Sequence, residues 1–130
     1  MARHFTLAQA NALLPVLRPH VARLITAWHR LKNIQPEVLD ILAHHPGEDV
    51  GGPLLAAAAA AIIRSQNAIL AIHSLGAELK DPATGLLDFR ALRNGGEVYL
   101  CWRYGEPSIL FWHPLETGIA GRQPIDDTFE

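Results

Sequence analysis

The spacing of apolar residues changes at Gly76, and this change constrains the fold more than any other feature of the chain. Before Gly76, apolar residues recur at intervals of three and four, which is the period of a helix with one buried face. After Gly76 the period falls to two, which is typical of β-strands. The chain is therefore predicted to be α+β, with a helical part at 5–75, a β part at 76–113 and an irregular tail at 114–130.

The first helix is predicted to begin after Thr6, because Gln9 stands three residues later and can complete a capping box. Apolar side chains then stay on one helical face as far as Leu31. Pro15 and Pro19 interrupt this pattern, and a proline inside a helix removes a hydrogen bond and crowds the preceding turn. Since the apolar stripe continues in phase, we expect one helix with a kink.

Two more helices are expected in the helical part. Residues 33–35 should break the first helix, the proline that opens 36–43 suits the first turn of a short helix, and 44–49 should form a loop. The clearest helix is predicted at about 54–75. Its six consecutive alanines at 56–61 favour a close contact between helices. The two long helices should form an antiparallel hairpin with the short helix between them.

The β part is expected to form a small antiparallel sheet of about three strands, at 86–89, 97–103 and 108–113, with turns at 81–85 and 93–96. The last two strands form a hairpin in which both faces are largely apolar. An antiparallel sheet with one solvated face would alternate apolar and polar residues. Since the helices can cover one face only, the other should meet the tail or a second copy of the chain. We therefore predict a homodimer.

Length and composition are those of one cytoplasmic domain. The chain has 130 residues, 49% of them hydrophobic, which is enough to form a hydrophobic core without stabilising cross-links. Its single cysteine excludes an internal disulfide, so a reducing compartment is expected. The longest apolar stretch, 53–63, is about half the length that crosses a bilayer, so we expect a buried helix and no membrane partner. The net charge is −2 and the basic residues are scattered, which argues against nucleic-acid binding.

Five motifs occur as an ordered set along the chain. They are Ala-Asn-Ala-Leu-Leu-Pro at 10–15, Gly-Leu-Leu-Asp-Phe at 85–89, Tyr-Leu-Cys-Trp-Arg-Tyr-Gly-Glu at 99–106, Trp-His at 112–113 and Gly-Ile-Ala-Gly-Arg-Gln-Pro at 118–124. This set resembles a family of small bacterial proteins catalogued as a conserved domain of unknown function. The resemblance covers nearly the whole chain and implies a stand-alone bacterial cytoplasmic protein, and it supplies no activity, substrate or cofactor for this chain. The chain departs from the pattern at Arg90, where a proline is expected.

Asp88 and His113 are the main candidates for a divalent metal site or for acid–base chemistry. Two registers of the hairpin are open. A four-residue loop pairs Val98 with His113, and if Asp88 lies opposite Val98, Asp88 and His113 share a face about 10 Å apart at the backbone. A three-residue loop pairs Tyr99 with His113 and moves the histidine to the face of Cys101. The structural alternative is a partly buried histidine bonded to a carboxylate or carbonyl.

The remaining polar residues of the C-terminal part have weaker patterns. Cys101 is flanked by large apolar residues and is expected to be a buried hydrophobe, although Arg103 on the same face would favour a thiolate. Arg103 and Arg122 are candidates for binding an anion, and Arg122 could instead pair with a carboxylate. Gly105 and Glu106 are assigned to the structural turn of the hairpin. The glycine spacing around Arg122 lacks the strand and helix of a dinucleotide fingerprint, so this segment is not assigned to dinucleotide binding. The cofactor is unknown from the sequence, and a divalent metal is the candidate.

The sequence contains no recognised catalytic motif and does not decide whether the chain is an enzyme. The leading hypothesis is a cytoplasmic homodimeric binding or interaction module. The alternative is a metal-binding protein, or a metal-dependent enzyme, with its site near Asp88 and His113.

Overall fold

The computed structural model describes residues 3–44 and 52–129, and in this part of the chain two helices are followed by a five-stranded antiparallel sheet. The helices are α1 (Leu7–His44) and α2 (Gly52–Ser74). The strands, in their order across the sheet, are β1 (Glu78–Asp81), β2 (Leu86–Arg93), β3 (Gly96–Arg103), β4 (Phe111–Pro114) and β5 (Gln123–Pro124). The α+β class is confirmed, and the predicted loop at 44–49 lies almost wholly outside the described residues.

Helix α1 begins at the predicted capping box. The Thr6 backbone N–H donates to Gln9 Oε1 over 3.0 Å, and the Gln9 N–H donates to Thr6 Oγ1 over 3.1 Å. The predicted break at 33–35 and the separate short helix were wrong, because α1 continues to His44 through all three of its prolines, Pro15, Pro19 and Pro36. Each proline costs one hydrogen bond, but α1 contains no glycine that would make leaving the helical conformation easy.

The two helices run in opposite directions, as predicted. Phe5, which precedes α1, lies against Gly76, which follows α2: a Cβ built on Gly76 would be 2.8 Å from Phe5 Cζ. Further along the pair, Ala27 of α1 and Ala61 of α2 line one groove. Both alanines are buried, so small side chains allow the close approach.

Helix α2 exposes most of its apolar surface. Its most apolar 18-residue window has a mean hydropathy of 1.5, yet only 22% of that window is buried. By length and composition alone this helix could cross a membrane, which is weak evidence by itself. The sequence predicted that this helix is buried. The prediction is correct for the face of α2 that packs in the core and wrong for its other faces, because a hairpin covers only one face of each helix. The large exposed side chains of α2 are Leu55, Ile62, Ile63 and Leu70.

The core lies between the helices and the inner face of the sheet. Alternate residues of each strand point to this face, as the period of two requires. The largest fully buried side chains in this layer are Leu14, Leu17 and Leu24 of α1, Ile72 of α2, and Leu87, Phe89, Leu100 and Trp102 of the sheet.

Strands β2 and β3 form a hairpin around the two-residue turn Asn94–Gly95. Both turn residues have positive φ, 51° and 80°, as Asn-Gly hairpin turns require. The turn pairs Arg93 with Gly96 and therefore Asp88 with Cys101. The predicted pairing of Asp88 with Val98 was wrong by three residues, because it did not use the length of this turn.

Strand β4 pairs Tyr99 with His113, so the second of the two predicted registers is correct. The connection is longer than a three-residue loop, since pairing ends at Cys101 and Phe111. The predicted strand at 108–113 is correspondingly shorter, at Phe111–Pro114. The predicted number of three strands was wrong, because β1 and β5 add one strand at each edge of the sheet.

The tail is more ordered than predicted. It contains a short 3₁₀ helix at Gly118–Gly121 and the strand β5, which pairs Pro124 with Phe111. Before and within the 3₁₀ helix, the tail brings Leu115 and Ile119 to the outer face of the sheet, beside His113. The chain's own tail therefore covers part of the apolar face for which the sequence predicted either the tail or a second copy.

Candidate functional site

Three residues with ligand or acid–base chemistry meet on the outer face of the sheet. Asp88 and Cys101 are direct partners across β2 and β3, and residues opposite each other point to the same side. His113 joins them because its partner Tyr99 is two residues from Cys101 on β3. The exposed fractions are 2% for Asp88, 0% for Cys101 and 2% for His113. Polar groups buried this deeply need partners.

The imidazole of His113 makes contacts through both nitrogens. Its Nδ1 lies 2.7 Å from the carbonyl oxygen of Pro114, and its Nε2 lies 3.0 Å from each carboxylate oxygen of Asp88. A carbonyl oxygen can only accept, so this bond assigns the hydrogen of the neutral ring to Nδ1. The Nε2 lone pair then faces the two Asp88 oxygens, which only accept when the carboxyl group is ionised. Either a proton, carried by the ring or by the carboxyl group, or a metal ion therefore lies between them.

The Cys101 thiol completes the cluster. One donor atom from each of Asp88, Cys101 and His113 can be chosen so that all three lie within 4.8 Å of one another. Burial, together with the charge of Asp88, raises the pKa of the Cys101 thiol to about 12. Burial also raises the pKa of Asp88, although His113 acts in the opposite direction. The Cys101 thiol is therefore neutral at neutral pH in the absence of a neighbouring cation, and it does not serve as a nucleophile there.

A cavity of about 140 Å³ opens beside Asp88 and His113. Its polar wall is completed by Lys80 and Tyr99, and its apolar wall consists of Leu86, Leu115, Gly118 and Ile119. The sequence did not point to Lys80 or Tyr99 as site residues, because strand β1 and the path of the tail were not predicted. The Asn-Gly turn was the available signal that would have paired Asp88 with Cys101.

Glu78 organises the cations around this cavity. Its carboxylate accepts from the Tyr99 hydroxyl over 2.9 Å, from Arg90 Nε over 3.0 Å and from Lys80 Nζ over 3.2 Å. Burial by itself raises the pKa of Glu78, but these three hydrogen bonds outweigh it and lower the pKa below its usual range. Lys80 Nζ also lies 4.7 Å from the centre of the Tyr99 ring. One carboxylate is therefore shared by two cations.

Arg122 connects Glu106, one of the two predicted turn residues, to the buried cluster. Glu106 Oε1 accepts from Arg122 Nη2 over 2.6 Å and from the Arg103 backbone N–H over 2.6 Å. Arg122 Nη2 also lies 3.3 Å from the carbonyl oxygen of Cys101. Gly105 has a φ of +101°, which a glycine adopts easily. The Arg103 side chain is exposed, so the structure does not bring its guanidinium into the buried cluster.

One protein-family model matches residues 3–125 of the chain, and its description is "Uncharacterized conserved protein (DUF2203)". The matched range includes Asp88, Cys101 and His113. No curated protein and no solved structure matches the chain.

Proposed function

Because the chain belongs to the DUF2203 family, whose description assigns no reaction, we propose its function from the chemistry of the buried cluster. The proposal is that Asp88, Cys101 and His113 bind one divalent metal ion, and that zinc is the ion that fits these donors best. The protein is then a zinc-binding protein whose metal lies beside a small cavity.

The observation that carries the proposal is the orientation of His113. Its Nδ1 is committed to the Pro114 carbonyl, so Nε2 is the nitrogen available to a ligand. Metal-binding histidines almost always donate their other ring N–H to a carbonyl or carboxylate in this way. The same Nε2 points at the Asp88 carboxylate, with the Cys101 thiol close by.

The donor set matches zinc in type, charge and spacing. Zinc takes sulfur from cysteine, nitrogen from histidine and oxygen from aspartate, and the thiolate excludes the harder ions calcium and magnesium. A tetrahedral zinc ion would separate these donors by roughly 3.4 Å, given its usual bond lengths. His113 Nε2 lies 3.0 Å from Asp88 Oδ1, and the three donor atoms all lie within 4.8 Å of one another. Side-chain shifts of under about 1.5 Å therefore bring the donors to the spacing that zinc requires. The charges of Asp88 and Cys101 balance those of the ion.

Three protein ligands leave the fourth position of a tetrahedral zinc ion open, which is typical of catalytic rather than structural sites. A zinc ion bound in this way acts as a Lewis acid and lowers the pKa of a bound water. Asp88 and His113 line the cavity, so a small molecule can reach the ion from that side. This supports a metal-dependent enzyme as the finer form of the proposal.

The competing explanation places only a proton between His113 and Asp88, as a buried ion pair. Metal analysis separates the two. Protein purified from zinc-supplemented medium should contain one zinc ion per chain, and Cys101→Ser, Asp88→Asn and His113→Gln should each lose it. His29→Gln, which changes an exposed histidine, should keep the metal. A wild-type protein that takes up no zinc, or three variants that all keep it, would refute the metal site.

Self-association is the second candidate function, and the exposed apolar face of α2 favours it. Arg64 is the single Lys, Arg, Asp or Glu residue in α2, so a second copy can pack on this face without burying many charges. We propose a cytoplasmic homodimer, and light scattering should then give about twice the chain mass of 14.3 kDa. Ile63→Gln combined with Leu70→Gln should restore the monomer. A wild-type protein that is monomeric at micromolar concentration would exclude this candidate.

A further inference from the structure

We infer that the cavity beside the metal cluster binds a small carboxylate anion, one oxygen of which occupies the fourth position on the metal. This inference rests on the proposed function, because it needs a metal ion held by Asp88, Cys101 and His113. It adds a chemical class of ligand and a residue, Lys80, that recognises it.

The position of the cavity gives the direction of approach. Asp88 and His113 line its wall, whereas Cys101 is completely buried and does not. A ligand inside the cavity therefore reaches the metal past the carboxylate of Asp88 and the imidazole of His113. A ligand atom at this wall is next to the position that the three protein donors leave open.

The size and the apolar wall limit the rest of the ligand. The volume of about 140 Å³ is close to that of cavities that hold one benzene molecule, about 150 Å³, so roughly six heavy atoms fit. Leu86, Leu115 and Ile119 line the side away from the polar groups, and these side chains favour a short aliphatic or aromatic body. A small molecule with one polar end and one apolar end matches both walls.

The charge of the polar end follows from Lys80. Among the residues that the structure describes, Lys80 is the one lysine or arginine that lines the cavity. The metal ion, Asp88 and Cys101 together carry no net charge, so an anionic fourth ligand needs one compensating cation nearby. Glu78 also binds Arg90, which pairs with Glu97 as well, so Glu78 is not devoted to Lys80 and the ammonium group at the cavity wall can also contact a ligand.

A carboxylate fits this arrangement better than a phosphate. A dianionic, tetrahedral phosphate needs several hydrogen-bond donors. The Tyr99 hydroxyl already donates to Glu78, so Lys80 is the remaining charged donor of the cavity wall. One lysine and one metal position match the single charge and two oxygens of a carboxylate.

The test uses the full chain loaded with cobalt in place of zinc, because the visible absorption of cobalt reports its fourth ligand. Butyrate should change the spectrum in a saturable manner with one site per chain. Butyramide has the same size without the charge and should bind at least about tenfold more weakly. Lys80→Met should weaken butyrate about tenfold, and Lys32→Met, which changes a lysine on α1, should leave it unchanged.

The outcomes separate this inference from the proposed function. If cobalt shows no one-to-one binding and no thiolate charge-transfer band, the metal site itself is refuted. If cobalt binds but butyrate leaves the spectrum unchanged, or if butyramide or inorganic phosphate binds more tightly, the carboxylate site is refuted and the metal site stands. Equal butyrate affinities for Lys80→Met and wild type would refute the role of Lys80.

Discussion

Tyr99 lies directly opposite His113 in the pairing of β3 with β4, and this register determines the chemistry of the outer face. Because opposing residues point to the same side of a sheet, the imidazole joins Asp88 and Cys101. A shift of one residue would turn His113 toward the core, where Leu100 lies. The site therefore depends on a pairing that spans four residues of β4.

Zinc should stabilise the metal-free protein against heat. A ligand that binds the folded state at a free concentration of about 100 times its Kd adds about 2.7 kcal/mol to the free energy of unfolding. For a chain of this size, that corresponds to a rise in Tm of roughly 10 °C. Circular dichroism with zinc, and then with a chelator, measures the rise and its reversal. Asp88→Asn should show no zinc-dependent rise, and an unchanged wild-type Tm would contradict the prediction.

Metal binding should release a proton from Cys101. Burial raises the pKa of this thiol to about 12 in the metal-free protein, so the thiol is protonated at pH 7 to 9, whereas the metal-bound form is a thiolate. Since the bound state lacks the thiol proton and any proton held between His113 and Asp88, raising the pH favours binding, by at least about tenfold in Kd per pH unit. Calorimetry in buffers of different ionisation enthalpy counts the proton. A Kd independent of pH would contradict this release.

The sequence was sufficient where local signals are strong. The capping box at Thr6 and Gln9 predicted the start of α1, and the change of period at Gly76 predicted where helix gives way to sheet. The Asn94–Gly95 turn also contained the register of β2 and β3, because a two-residue loop fixes every pair that follows. Counting residue pairs outward from this two-residue turn places Asp88 opposite Cys101.

The remaining features depend on contacts between distant segments. Strand β1 has four residues without apolar alternation, and it forms because Glu78 pairs with Asp88. Strand β5 has two residues, and its position depends on where the tail crosses Phe111. The cavity combines β1, the sheet centre and the tail, so no local pattern could reveal Lys80 and Tyr99 as its lining.

Gly85→Ala should destabilise the protein more than Gly95→Ala. Both glycines have positive φ, +72° and +80°, so each alanine has to adopt a conformation that costs about 1–2 kcal/mol. At Gly85 the new Cβ would also lie 2.6 Å from Val21 Cγ1, whereas nothing lies within 4 Å at Gly95. We expect losses of about 2–4 and 1–2 kcal/mol, measured by urea denaturation. Equal losses of stability in the two variants would mean that Val21 moves away from the new Cβ at Gly85 without a measurable cost in free energy.

Glu106→Gln should destabilise the fold by leaving Arg122 without its anion. The two side chains are 20% and 12% exposed and 2.6 Å apart, so solvent screens the pair only in part. Neutralising Glu106 leaves the largely desolvated charge of Arg122 without an opposite charge, and we expect a loss of about 1–2 kcal/mol in the free energy of unfolding. Glu116→Gln, at an exposed position of the tail, should change it by less than about 0.5 kcal/mol.

The double variant Glu106→Gln with Arg122→Met gives the sharper measurement of this pair. Removing both partners also removes the unpaired guanidinium, so the double variant should be less destabilised than the sum of the two single variants. The methionine can still pack on Phe111, whose ring lies 4.2 Å from the guanidinium carbon of Arg122. Urea denaturation of the four proteins gives the coupling energy, which we expect to be about 1 kcal/mol. Strictly additive losses would show that Arg122 holds the tail through the Cys101 carbonyl and Phe111, without help from Glu106.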